Sequence, residues 1–178
     1  EARQERFKKA FALSSEDSQQ LTADRDVADY FEAAVAVSNA PKLTANWINV
    51  ELAGLLNRTG AAFASQPIPA RQLGQLVLRI EDQTISGKIA KRVFESMTES
   101  GSDVDSIIDT EGLRQVTDSG AIQTLVDAVV DSHREQIAQY LDGNAKVLGF
   151  LVGQVMKASK GKANPKQVNE LLRAKISE

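Results

Sequence analysis

The side chains that could do chemistry in this chain are mostly basic and crowd its end. Lys146, Lys157, Lys160, Lys162, Lys166, Arg173 and Lys175 fall within the last 33 residues. Such a set suits contacts to phosphates, which position a nucleic acid without reading its bases. Residues 1–143 hold 14 Lys+Arg against 22 Asp+Glu, a net of −8, whereas residues 144–178 hold 7 against 2, a net of +5. The asymmetry points one end at an anion. On charge alone, a solvated pair of basic helices explains the same numbers.

Catalytic chemistry has little to stand on. His133 is the only histidine and there is no cysteine. Disulfides, thiolate metal sites and cysteine nucleophiles are excluded, and one histidine does not make a common zinc site. His133 reads as a surface or capping residue. Gly87-Lys88 and Gly161-Lys162 lack both the first glycine of a phosphate loop and the Ser/Thr after its lysine. Glu81/Asp82 read as a solvated face, and Asp103/Asp105/Asp109 as the start of a helix, where acids are favoured. Neither group has the company that acid–base work needs. This chain alone is not expected to be an enzyme.

The stretch Lys146–Pro165, KVLGFLVGQVMKASKGKANP, must place most of the lysines. Its first half is apolar nearly all round, through Val147, Leu148, Phe150, Leu151, Val152, Val155 and Met156. That is the pattern of a buried helix, too short to span a bilayer. Phe150 is expected in the core, so a platform for stacking single-stranded bases is not. Gly149 and Gly153 share one face, and glycine inside a helix costs about 1 kcal/mol against alanine. The pair predicts a close backbone approach, by a packed helix in the first instance or by RNA. Gly161 is the expected helix stop. Asn164 is the expected cap of a last helix opening on Pro165, with Gln167 at the capping-box position.

The rest of the chain reads as all-α: proline and glycine are sparse and period-2 alternation is absent. Residues 1–20 begin basic and end in the polar run SSEDSQQ, read as a linker. Thr22 is the expected cap of a helix over Leu21–Asn39. Trp47 is expected in the core. Gln66-Pro67-Ile68-Pro69 breaks the chain, Ser86 caps a helix over SGKIAKRVFESM, and Asp118 or Ser119 caps another. Two small helical domains follow, 21–108 and 110–178, joined near Gly101–Gly112. No apolar run reaches transmembrane length, and no signal peptide is visible. The first residue is Glu and the opening EARQERFKK reads as a helix in progress, so a fragment is expected.

LGFLVGQVMKASKGKANPKQVNELL, from Leu148 to Leu172, resembles the C-terminal signature of the B-subunit family of aspartyl/glutamyl-tRNA amidotransferases (GatB), an ending shared with small YqeY-type proteins. ANWINVELAGLLN, ISGKIAKRVFESM and GLRQVTD extend the resemblance upstream, and LTADRDVADYFE at Leu21–Glu32 resembles the start of the helical domain that YqeY proteins lack. The resemblance implies a helical domain and a YqeY-like tail domain. It makes residues 1–20 a linker from a missing N-terminal catalytic domain. In the family, that domain uses ATP and magnesium to phosphorylate the side chain of mischarged Glu-tRNA(Gln) or Asp-tRNA(Asn). An amidase A subunit supplies ammonia, and a small C subunit ties the complex together. The implied role here is to grip tRNA(Gln) or tRNA(Asn), with no cofactor in this part, in the cytoplasm and away from membranes. The expected RNA-binding set is Lys146, Gly149, Gly153, Lys157, Lys160, Lys162, Lys166 and Arg173. A scaffold docking the A or C subunit, and a free-standing YqeY-like protein, are the alternatives. His133 departs from the Asn-Pro pattern usual at that point in the family.

Overall fold

A computed structural model describes residues 1–177. It is all-α and divides into two compact units, Glu1–Gly112 and Leu113–Glu178.

The first unit opens with α1 (Ala2–Phe11) and α2 (Ser15–Thr22). The polar run read as a linker is therefore helical. Ser14 Oγ accepts from the Asp17 amide at 3.0 Å and caps α2. Phe7 is fully buried against the rings of Phe11 and Phe31, and Arg3 pairs with Asp29 and Glu32 of α3 (Arg25–Ser38). Aromatic burial and charge pairing thus pull the opening into the unit. The cap of α3 is Asp24, which accepts from the Asp26 amide at 2.7 Å, and not Thr22. The Thr22 hydroxyl instead donates to Ser18 O at 2.6 Å inside α2.

Pro41 opens α4 (Pro41–Asn46), which runs through a π-helical segment, Trp47–Leu52, into α5 (Ala53–Thr59). Trp47 is buried, with its ring 5.6 Å from that of Phe94. After the proline break come α6 (Ala70–Glu81), α7 (Gly87–Ser100) and α8 (Val104–Thr110). Ser86 caps α7 through the Ile89 amide, as its position predicts. Helices α3 and α6 pack most intimately at Gly74, where a Cβ would stand 2.4 Å from Ala34 O. Tyr30 donates its hydroxyl to Ile68 O at 2.7 Å, and burial pushes the phenol's pKa up. Arg79 reaches Asp105 through Nε at 2.7 Å and Nη2 at 2.9 Å, tying α6 to α8 with a bidentate pair.

The second unit is built from α9 (Ser119–Ser132), α10 (Arg134–Leu141), α11 (Lys146–Ala158) and α12 (Pro165–Ile176). Its core gathers Ile122, Val126 and Val129 of α9, Val147, Leu148, Leu151 and Val155 of α11, and Val168, Leu172 and Ile176 of α12. Burying each of these side chains is worth about 1.5–3 kcal/mol. Asp118 caps α9, and Asn164 caps α12 ahead of Pro165. Gln167 does not close a capping box. The Asn164 amide donates to Val116 O at 3.2 Å, and Gln167 Nε2 donates to Thr117 O at 3.2 Å. The incoming chain at 116–117 has taken both partners. No strand forms among the described residues, and the only β pairing there is an isolated parallel bridge between Val116 and Ala163.

Candidate nucleic-acid interface

Helix α11 is one-sided. Val147, Leu148, Leu151 and Val155 are buried, but Lys146, Gly149, Phe150, Gly153 and Lys157 are exposed. At 100° per residue these five fall within an arc of about 100°. The apolar run is thus a core stripe with an open face opposite. Phe150 is 46% exposed, contrary to the expectation of burial. Its ring meets that of His133 edge-on, with centroids 5.6 Å apart. His133 stands at the junction of α9 and α10, with Nδ1 2.9 Å from Val129 O. The histidine therefore ends one helix, begins the next and braces an exposed ring.

The glycine pair departs from the first expectation too. A Cβ built at Gly149 or Gly153 meets nothing within 4 Å. Among the described residues no helix packs against these glycines, because the packed face of α11 is the opposite one.

The basic turn after α11 is firmly built. The amides of Lys160, Gly161 and Lys162 donate to Lys157 O, Met156 O and Ser159 O at 3.0, 2.8 and 3.1 Å. Lys160 and Gly161 both adopt left-handed backbone, at φ 55° and 77°. Val116 donates to Lys162 O at 2.6 Å, stitching the turn to the chain ahead of α9. Lys157 and Lys160 are exposed and Lys162 is half-buried. Lys166 follows in the first turn of α12.

The expected residues thus fall into two neighbouring sets. Lys146, Gly149, Gly153 and Lys157 share the open face of α11, and Lys157, Lys160, Lys162 and Lys166 surround the turn. Arg173 lies seven residues beyond Lys166, about 10 Å along α12, and its Nε donates to Asn169 Oδ1 at 2.8 Å. Among the described residues, no carboxylate pairs with Lys146, Lys157, Lys160, Lys162 or Lys166. In the first unit Arg3, Arg6, Lys8, Arg79, Lys91 and Arg92 have such partners, whereas Lys9, Lys42, Arg58, Arg71 and Lys88 have none among the described residues. Five unpaired ammonium groups on a rigid turn and an adjoining helix face can hold successive phosphates. Phe150 is the residue the sequence reading passed over. Its signal was the helical spacing 146, 150, 153, 157, which joins it to the lysines and glycines rather than to the core.

The fold and this surface define a helical module with a basic, glycine-open face. The chain belongs to the family described as the GatB domain, whose profile matches residues 29–176. It is 51% identical, over 99% of its length, to the B subunit of the aspartyl/glutamyl-tRNA(Asn/Gln) amidotransferase of Nitrosococcus oceani. The corresponding B subunit of Pseudomonas savastanoi pv. phaseolicola is 51% identical over 98% of the chain, and that of Pseudomonas aeruginosa 49% over 98%. The chain spans 37% of the length of each. No helix among the described residues is long and apolar enough to cross a membrane, and none of their His, Asp or Glu side chains cluster to hold a metal ion.

Proposed function

We propose that this chain is the tRNA-gripping, C-terminal part of an aspartyl/glutamyl-tRNA(Asn/Gln) amidotransferase B subunit. It has no catalytic role of its own. It holds the body of a mischarged tRNA(Gln) or tRNA(Asn) so that the aminoacyl end reaches a kinase site elsewhere in the same polypeptide. That site uses ATP and magnesium, and the assembly works in the cytoplasm with an amidase A subunit and a small C subunit. Phosphate contacts from the second unit fix the register of the tRNA. Shape and a few nucleotides select it.

The observation that carries this reading is the clustering of Lys146, Lys157, Lys160, Lys162 and Lys166 on the open side of α11 and around the turn after it, none of them paired with a carboxylate among the described residues. A lysine left without a carboxylate on a firmly held turn is available to a phosphate. The test is a gel shift with tRNA(Gln) and tRNA(Asn) transcripts across a salt series. Binding weakens steeply as salt rises. Replacing Lys157, Lys160 and Lys162 together with Glu lowers affinity by about 100-fold or more, since three attractive contacts become repulsive. A triple variant that binds like the wild type removes the turn from the interface.

A further inference from the structure

Resting on that reading, we propose that Phe150 is a stacking contact for an unpaired base of the bound RNA. The exposure of its ring, the contact with His133 and the residues around it on α11 support this. The ring is 46% exposed on a helix whose other large apolar side chains are buried or half-buried. It is braced rather than free: His133 meets it edge-on at 5.6 Å, and Nδ1 of His133 lies 2.9 Å from Val129 O. An aromatic face fixed this way is a preorganised platform, and stacking tolerates any base because every base has a π-face.

The surroundings match a nucleic acid better than a protein. Lys146 and Lys157 lie on the same face, about 6 and 10 Å from Phe150 along the helix axis, before and after it. That spacing lets each lysine meet a phosphate while the ring takes a base between them. Gly149 and Gly153 flank the ring with open space above them, so a sugar–phosphate chain can lie close against the helix. Phe150 is the only large apolar side chain exposed on α11, and Leu141 of α10 is the only other in this unit among the described residues, so the apolar area open to a protein partner is small. The occupant is an extruded base in a loop of folded RNA, the kind of element that proteins read by stacking.

The test uses the full chain with tRNA(Gln) and tRNA(Asn) transcripts, measured separately. F150L and F150A lower affinity roughly 5- to 150-fold, the effect of losing one stacked base. The slope of log K against log salt stays unchanged, because no phosphate contact is lost. F150W keeps the wild-type affinity, and its indole fluorescence, measured above that of the buried Trp47, is quenched by saturating tRNA. Equal affinity for wild type and F150L overturns the stacking, as does an indole that tRNA does not quench. A fall in slope along with affinity also overturns it, since the ring would then act through the lysines. If F150A loses the amidase partner while tRNA binding holds, the face is a protein dock and the proposal fails. If the wild type binds neither transcript with salt-sensitive affinity, the tRNA reading itself falls and the stacking falls with it.

Discussion

A Cβ built at Gly74 would stand 2.4 Å from Ala34 O and 2.9 Å from Val37 Cβ, whereas one built at Gly149 or Gly153 would meet nothing within 4 Å. All three glycines lie inside helices and carry the same propensity cost. At Gly74 the missing side chain lets α3 and α6 approach and is absorbed by packing. On α11 no neighbouring helix returns that cost. The cations divide along similar lines. Arg3 and Arg79 each pair with two carboxylates, but the lysines of α11 and its turn have none among the described residues. Gly74 and the paired arginines hold the first unit to itself. On α11 and the turn after it the same residue types face outward, where a partner can use them.

The comparison breaks most sharply at Gly74. Gly74→Ala is expected to destabilise the chain by about 3 kcal/mol, the upper part of the range for overpacking, because the atom in the way belongs to the backbone. The helix propensity gained, roughly 1 kcal/mol, offsets only part of the clash. Urea unfolding followed by circular dichroism measures it. A variant as stable as the wild type would mean that α3 and α6 are not closely packed there.

Gly149→Ala and Gly153→Ala should move stability the other way. Each raises it by roughly 0.5–1 kcal/mol, since the methyl enters open space on an exposed helix. If RNA lies against this face, the same variants weaken tRNA binding. Stability and affinity then change in opposite directions, and that pair of signs separates a binding surface from a packing defect. Loss of stability in either variant would show that something packs on α11 after all.

The sequence made local features legible and left tertiary ones open. The caps at Ser86, Asp118 and Asn164 and the break at 66–69 follow from side-chain chemistry within three or four residues. The all-α class follows from periodicity. Residues 14–20 were missed although Ser14 caps their helix locally; what ties α2 into the unit is the burial of Ser18 and Leu21, which spacing alone did not show. The fate of Gln167 depended on Thr117, 50 residues away in sequence. The π-helical turn at Trp47–Leu52 had no sequence signal, because its residues keep ordinary helical spacing. At the candidate interface the expected residues divide among the open face of α11, the turn after it and α12. The error was to take a helix apolar in composition as buried all round, when Lys146, Phe150, Gly153 and Lys157 marked an exposed face.

The smallest expected effect concerns the charge pairs of the first unit. The hydrogen bond from Arg3 holds the Asp29 carboxyl below its ordinary value of 3.8. A depressed carboxyl stabilises the fold above that value and stops doing so as pH falls through the folded-state pKa. Between pH 6 and 5 the contact of α1 with α3 is therefore unchanged. Below about pH 4 it weakens, as Asp29 takes up a proton. Protection factors along α1, which discount the intrinsic slowing of exchange toward low pH, should drop in that window, and in Arg3→Met the drop should shrink while protection at pH 6 is already lower. The contact is solvent-exposed, so the change is local fraying rather than unfolding. Protection in α1 that shows no drop between pH 5 and 3 would mean that Phe7, packed on Phe31, holds the helix without the help of Arg3.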